Sequence, residues 1–237
     1  MDISRPDPAP YFDPLIARRD LTRIASEAGS VAEGRPAVID YCKGLMREAR
    51  AMAEKQLACD GNGRRCAEGL SLFQDELVRL IYDYTVAHAY RATNPSDAER
   101  MAIVATGGYG RGLMAPGSDI DLLFLLPYKQ TPWGESVAEY MLYILWDLGL
   151  KVGHSSRSID ETMRMAKADL TVRTALLEAR YVWGDRALYE EVAVRFDSEI
   201  MQGTARTFVT EKLEERDERH RRMGDSRYVV EPNVKEG

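Results

Sequence analysis

Residues 101–126 read MAIVATGGYGRGLMAPGSDIDLLFLL, and their pattern decides the fold. Two short apolar blocks, MAIVAT at 101–106 and IDLLFLL at 120–126, are closed off by glycine or proline, the sign of buried strands. Alternate side chains of a strand leave the same face, so Asp119 and Asp121 point the same way. Two carboxylates held that close repel by several kcal/mol at an effective dielectric of about 20. Within an otherwise apolar strand they are costly unless a cation joins them. Magnesium suits the position, because it takes one or two carboxylates and fills its other octahedral places with water and phosphate oxygens.

The glycines supply the matching half. Gly107 and Gly108 follow the first strand directly, and without a Cβ their backbone can approach a triphosphate and present N–H groups to it. The stretch from Gly108 to Asp119 is long enough to leave one strand, make a turn of helix and return into the next. Phosphate cradle and metal ligands are thus expected at one edge of a small sheet. Ser118 is expected beside them, and Arg111 either reaches phosphate or pins the loop.

Working outward, the chain before residue 94 is helical, with apolar residues at helical spacing over 11–28, 36–57 and 65–92. Breaks are expected at 29–34, at DGNG (60–63) and at Asn94-Pro95. Beyond the two strands, residues 133–148 predict a helix stopped by Gly149, and KVGHSSRS (151–158) a third strand. Residues 169–181, 186–200 and 204–223 are again read as helices. The last carries EKLEERDERHRR, whose mixed charges at close spacing describe a solvated face. The expected organisation is an N-terminal helical region (1–94), a catalytic core (95–185) and a C-terminal helical segment (186–237). Trp133, Trp146 and Trp183 are read as core residues on apolar helical faces.

Composition narrows the function. A net charge of -6 and a pI near 5.3 argue against a nucleic-acid partner, which requires clustered Lys and Arg. The longest apolar run is far shorter than the roughly 20 residues a membrane span needs, and the N-terminus lacks the apolar core of a secretory signal. A cytoplasmic protein with no membrane contact is expected. Cys42, Cys59 and Cys66 are odd in number and unpaired in spacing, so neither a disulfide framework nor a zinc site is indicated.

Residues 105–126 resemble the active-site signature of the bacterial PII uridylyltransferase/uridylyl-removing enzymes. The likeness continues in LWDLGLKVGHSSRS (145–158), DLTVRTALLEARYVWGD (169–185) and YVVEPNVKEG (228–237). The resemblance implies an α+β fold of the polymerase-β-like nucleotidyltransferase type, a small mixed sheet flanked by helices with helical segments at both ends. It also implies an activity: transfer of UMP from UTP to a tyrosine of the signal protein PII, with Mg2+ and release of pyrophosphate. Gly107 and Gly108 match the family's glycine pair, and Asp119 and Asp121 its metal-binding pair.

Departures accompany the match. The family usually has an acid where this chain has Leu113. Many polymerase-β-like enzymes carry a third carboxylate on a later strand, and residues 152–158 offer none. Glu178 is the candidate, against its reading as a structural ion pair with Arg180, and Asp160 is the other nearby acid. Arg157 either contacts triphosphate or target loop, or bridges to Asp160 or Glu161; His154 is read as structural. His88, His154 and His220 are not followed by Asp, so the family's UMP-removing site is expected outside this chain, which is read as a piece of a longer protein. Two alternatives stay open: a non-catalytic nucleotide-binding regulatory module, and a transferase of the same fold that uses ATP.

Overall fold

The computed structural model describes residues 11–92, 96–128 and 131–222. Three helices come first among the described residues, α1 (Pro14–Glu27), α2 (Val31–Asp60) and α3 (Gly63–Tyr84). Asp13, Ser30 and Asn62 cap them by accepting backbone N–H bonds in their first turns. The expected break at 29–34 is shorter than that range, because α2 begins at Val31 and continues through Pro36. The turn at 60–63 does form, with Gly61 left-handed at φ 62°. The break expected at Asn94-Pro95 lies outside the described residues.

Next come β1 (Ala102–Ala105), the single-turn α4 (Gly107–Gly110), β2 (Ile120–Leu126), α5 (Pro132–Asp147) and β3 (Val152–Ser158). Helices α6 (Ile159–Ala168) and α7 (Leu170–Leu177), strand β4 (Arg180–Gly184), α8 (Arg186–Phe196) and α9 (Ala205–Arg222) complete the order. The strands form one mixed sheet in the order β3-β2-β1-β4. Strand β1 is antiparallel to β2 and β4, and β2 runs parallel to β3 across the α5 crossover.

Period-two alternation sends the sheet's side chains to two cores. Ile103, Ala105, Ile120, Leu122, Phe124 and Leu126 pack with α1–α3 and α5. Ala102, Val104, Leu123 and Leu125 pack with α6, α7 and α8. Asp121 shares the parity of Leu123 and Leu125, which aims it toward the α6–α8 side. No helix among the described residues is long and apolar enough to cross a membrane.

One element differs in kind from the sequence expectation. Residues 169–181 were expected to be one helix, yet α7 ends at Leu177 and the chain re-enters the sheet as β4. The second edge of β1 needs a partner for its backbone groups, and Arg180 pairs with Ala105 while Val182 is fully buried. Tertiary pairing overrides the helical spacing of the apolar residues. The tryptophans are also less buried than expected. Trp146 is 44% exposed, and Trp183 lies on β4 with its indole N–H donated to Asp83 at 2.7 Å. Trp133 is half-buried and donates to the Tyr90 carbonyl. An indole needs a partner for its N–H, which holds Trp133 and Trp183 near polar groups.

Candidate active site

A cavity of about 440 Å³ opens on the α6–α8 side of the sheet, lined by Thr106, Gly107 and Asp121 on one wall. Opposite stand residues of α7 with Glu178 at its C-terminal end, and Lys212 reaches in from α9. The Asp121 carboxylate fits its place because both neighbours lack side chains. A Cβ on Gly107 would lie 3.1 Å from its Oδ2, and one on Gly153 would lie 2.3 Å from its Oδ1. Gly153 stands directly across from Asp121 in the parallel β2–β3 register. Gly107 has φ 55°, a backbone conformation that favours glycine.

Thr106 is the N-cap residue of α4 and makes no side-chain cap bond. The first N–H groups of a helical turn have no partner within it, so those of Gly107 and Gly108 are oriented for an acceptor outside. A Cβ on Gly108 would be 3.4 Å from the Arg111 guanidinium. Asp119 is exposed and precedes β2 by one residue. Ser118 stands apart: its hydroxyl accepts from the Ala115 N–H at 3.1 Å, and it lines a second cavity between α2, α3 and the 114–118 loop.

Arg111 Nη1 donates to both Glu178 oxygens at 2.9 and 2.8 Å. Glu178 is the C-cap of α7, and its ion-pair partner is Arg111 rather than Arg180. Arg157 and His154 both line the cavity. Asp160 instead pairs with Arg195 at 2.7 Å, and Glu161 lies 3.8 Å from Arg164. Among the described residues, no three His, Cys, Asp or Glu side chains gather as a ready-made metal cage. Asp121 lines the cavity, and carboxylate oxygen is a donor that suits magnesium, which completes its sphere with water and further oxygens.

Behind the cavity lies a polar cluster that sequence reasoning missed. The Asp75 side chain on α3 is 4% exposed and is held bidentately by Arg180 on β4 at 2.6 and 3.0 Å. The buried Tyr109 hydroxyl donates to the same carboxylate at 2.7 Å. Burial first, then the Asp75 charge, pushes this phenol well above its ordinary range, so it remains a proton donor. Gly153 and Lys212 were missed as well. The first carries no signal until the strand register is known, and the second sits in a charge run that reads as solvated.

The family described as Nucleotidyltransferase domain matches residues 94–181, and the one described as GlnD PII-uridylyltransferase matches residues 207–237. A protein of Bradyrhizobium sp. (strain BTAi1) named bifunctional uridylyltransferase/uridylyl-removing enzyme is 57% identical over 99% of this chain. The chain resembles the PII uridylyltransferases, in its matched regions and along nearly its whole length. Proteins of the same name from Rhodopseudomonas palustris and Bradyrhizobium sp. (strain ORS 278) are 54% and 62% identical over 100% and 86% of this chain. The chain spans about a quarter of the length of these relatives, between 22% and 26%.

Proposed function

We propose that this chain transfers UMP from UTP to a tyrosine of a PII signal protein, releasing pyrophosphate. The observation that carries the reading is the Asp121 carboxylate seated between two glycines at the wall of a nucleotide-sized cavity. Asp119 and Asp121 hold magnesium, and the N–H groups of Gly107 and Gly108 face the phosphates. Arg157 and Lys212 bring positive charge to the same cavity. Ser118 acts through the turn it closes before Asp119, and Arg111 and Glu178 brace each other at the mouth.

Magnesium bound there supplies charge that lowers the pKa of the tyrosine hydroxyl and neutralises the triphosphate. The tyrosine hydroxyl gives up its proton to solvent water, its oxygen forms a bond to the α-phosphorus as the α–β bridging bond breaks in line, and pyrophosphate leaves with the electron pair. The chain's contribution is placement and charge rather than covalent chemistry. We assign residues 1–94 to a helical region, 95–185 to the catalytic core and 186–237 to a C-terminal segment, in a cytoplasmic protein.

The non-catalytic reading draws on one observation, that Glu178, the candidate third carboxylate, is engaged by Arg111. The two are separated by incubating the chain with magnesium, a PII protein and either UTP or ATP, then weighing the intact PII. A mass gain of one UMP per modified tyrosine is expected with UTP. UTP binding without any mass gain contradicts catalysis by this chain, and a gain of AMP contradicts the choice of base.

A further inference from the structure

Asp75 belongs to the N-terminal helices, remote in sequence from the glycine pair and the acids, yet three groups converge on it. Arg180 Nη1 and Nη2 donate to Oδ2 and Oδ1, and the Tyr109 hydroxyl donates to Oδ1. The same guanidinium continues past the carboxylate: Nη2 and Nε reach the carbonyls of Tyr109 and Gly110, each at 3.3 Å. Both carbonyls are at the C-terminal end of α4, whose other end carries Gly107 and Gly108. Its far side is equally closed, since a Cβ on Gly110 would lie 2.0 Å from the Glu178 carbonyl oxygen.

A helix of one turn has no stability of its own and takes whatever orientation its surroundings impose. The surroundings here are α3 and β4, joined by an ion pair whose carboxylate is buried, and the end of α7, whose Glu178 carbonyl lies against Gly110. Stability alone does not explain that choice, because a buried ion pair is often matched or bettered by apolar packing. A bidentate guanidinium fork gives a defined direction, which apolar packing does not.

We propose that Asp75, Tyr109 and Arg180 are positioning residues that set where Gly107 and Gly108 meet the nucleotide, so that α3 governs nucleotide affinity without touching it. This rests on the reading above that Gly107 and Gly108 face the phosphates. Tyr109→Phe removes one hydroxyl and leaves volume unchanged; Arg180→Lys keeps the charge and loses the fork. Asp83→Asn serves as the structural comparison, since it breaks another α3 ion pair, that with Arg18 at 2.9 Å, away from α4.

The test is calorimetric titration of the whole chain with UTP and magnesium, which returns the dissociation constant and the binding-competent fraction separately. A positioning role raises the dissociation constant on the order of tenfold for Tyr109→Phe, as expected for loss of about 1.4 kcal/mol, and further for Arg180→Lys. The binding-competent fraction stays near that of wild type, and Asp83→Asn keeps the wild-type constant even if it melts earlier. Unchanged constants in Tyr109→Phe and Arg180→Lys, with wild type binding UTP, overturn this inference alone. A fall in competent fraction with no change in constant also overturns it, by showing a merely structural role. Failure of wild type to bind UTP overturns the proposed function and this inference with it.

Discussion

Gly153→Ala adds one methyl group at the position facing Asp121 across the β2–β3 register, 2.3 Å from Oδ1 and 3.5 Å from Cγ. Ordinary contact begins near 3.4 Å, so the oxygen must withdraw by about 1 Å, and the room for it lies toward Gly107, which has no Cβ. A displacement of about 1 Å in a positioned group costs on the order of 100-fold in rate, equivalent to about 2.7 kcal/mol. The backbone is not penalised, since replacing a strand glycine by alanine recovers roughly 0.5–1 kcal/mol. Activity and stability should therefore part company. The rate of pyrophosphate release with UTP, magnesium and PII is expected to fall about 100-fold while the melting temperature holds or rises. The double variant Gly153→Ala/Asp121→Ala should be no slower than Asp121→Ala alone, because both act through one carboxylate. Turnover of Gly153→Ala within threefold of wild type would refute the assignment of Asp121 as a metal ligand held by its neighbours.

Other expectations follow from separate features. Asp160 is 82% exposed on its side chain and pairs with Arg195, so Asp160→Asn should leave transfer unchanged and shift stability by less than about 0.5 kcal/mol in urea unfolding. Gly110→Ala forces a methyl onto two backbone oxygens, Glu178 at 2.0 Å and Ala105 at 3.1 Å, and should lower the urea midpoint by an amount equivalent to about 1–3 kcal/mol. Burial, the largest cause in each case, pushes Tyr41, Tyr82 and Cys42 up to about 12. Raised values mean that the unfolded chain releases these protons first, so stability present at pH 8 is lost as the pH climbs from about 9 toward 12. Melting temperatures at pH 8 and pH 11 check this, and equal values would contradict it.

How much was legible depends on whether the signal was local. Strands β1 and β2 appear in the sequence as apolar blocks, and β3 follows from the small polar alternation after Gly149, because each is bounded by its own turn chemistry. Strand β4 was not legible. Leu170, Val172, Leu176 and Leu177 continue a helical rhythm, and only the open edge of β1 converts Arg180–Gly184 into a strand. The site shows the same division. The D-x-D spacing predicts a shared parity for Asp119 and Asp121, though Asp119 precedes β2 by one residue, and that Gly153 stands opposite Asp121 depends on the crossover through α5 and the register it delivers. Glu178 was set beside Arg180 because they are near in sequence, whereas Arg180 takes Asp75, 105 residues away, and Glu178 takes Arg111, 67 residues away. Local periodicity carries no information about partners at such separations.

The most direct test of the central claim is a manganese titration of wild type, Asp119→Asn and Asp121→Asn, followed by electron paramagnetic resonance in the presence of a non-hydrolysable UTP analogue. Manganese stands in for magnesium, and the signal of the free ion reports how much remains unbound. Wild type is expected to take up manganese together with the analogue, and each variant should bind at least tenfold more weakly while keeping the wild-type far-UV circular dichroism. Undiminished manganese uptake by both variants would contradict the account, because the metal would then be held by residues other than the two acids.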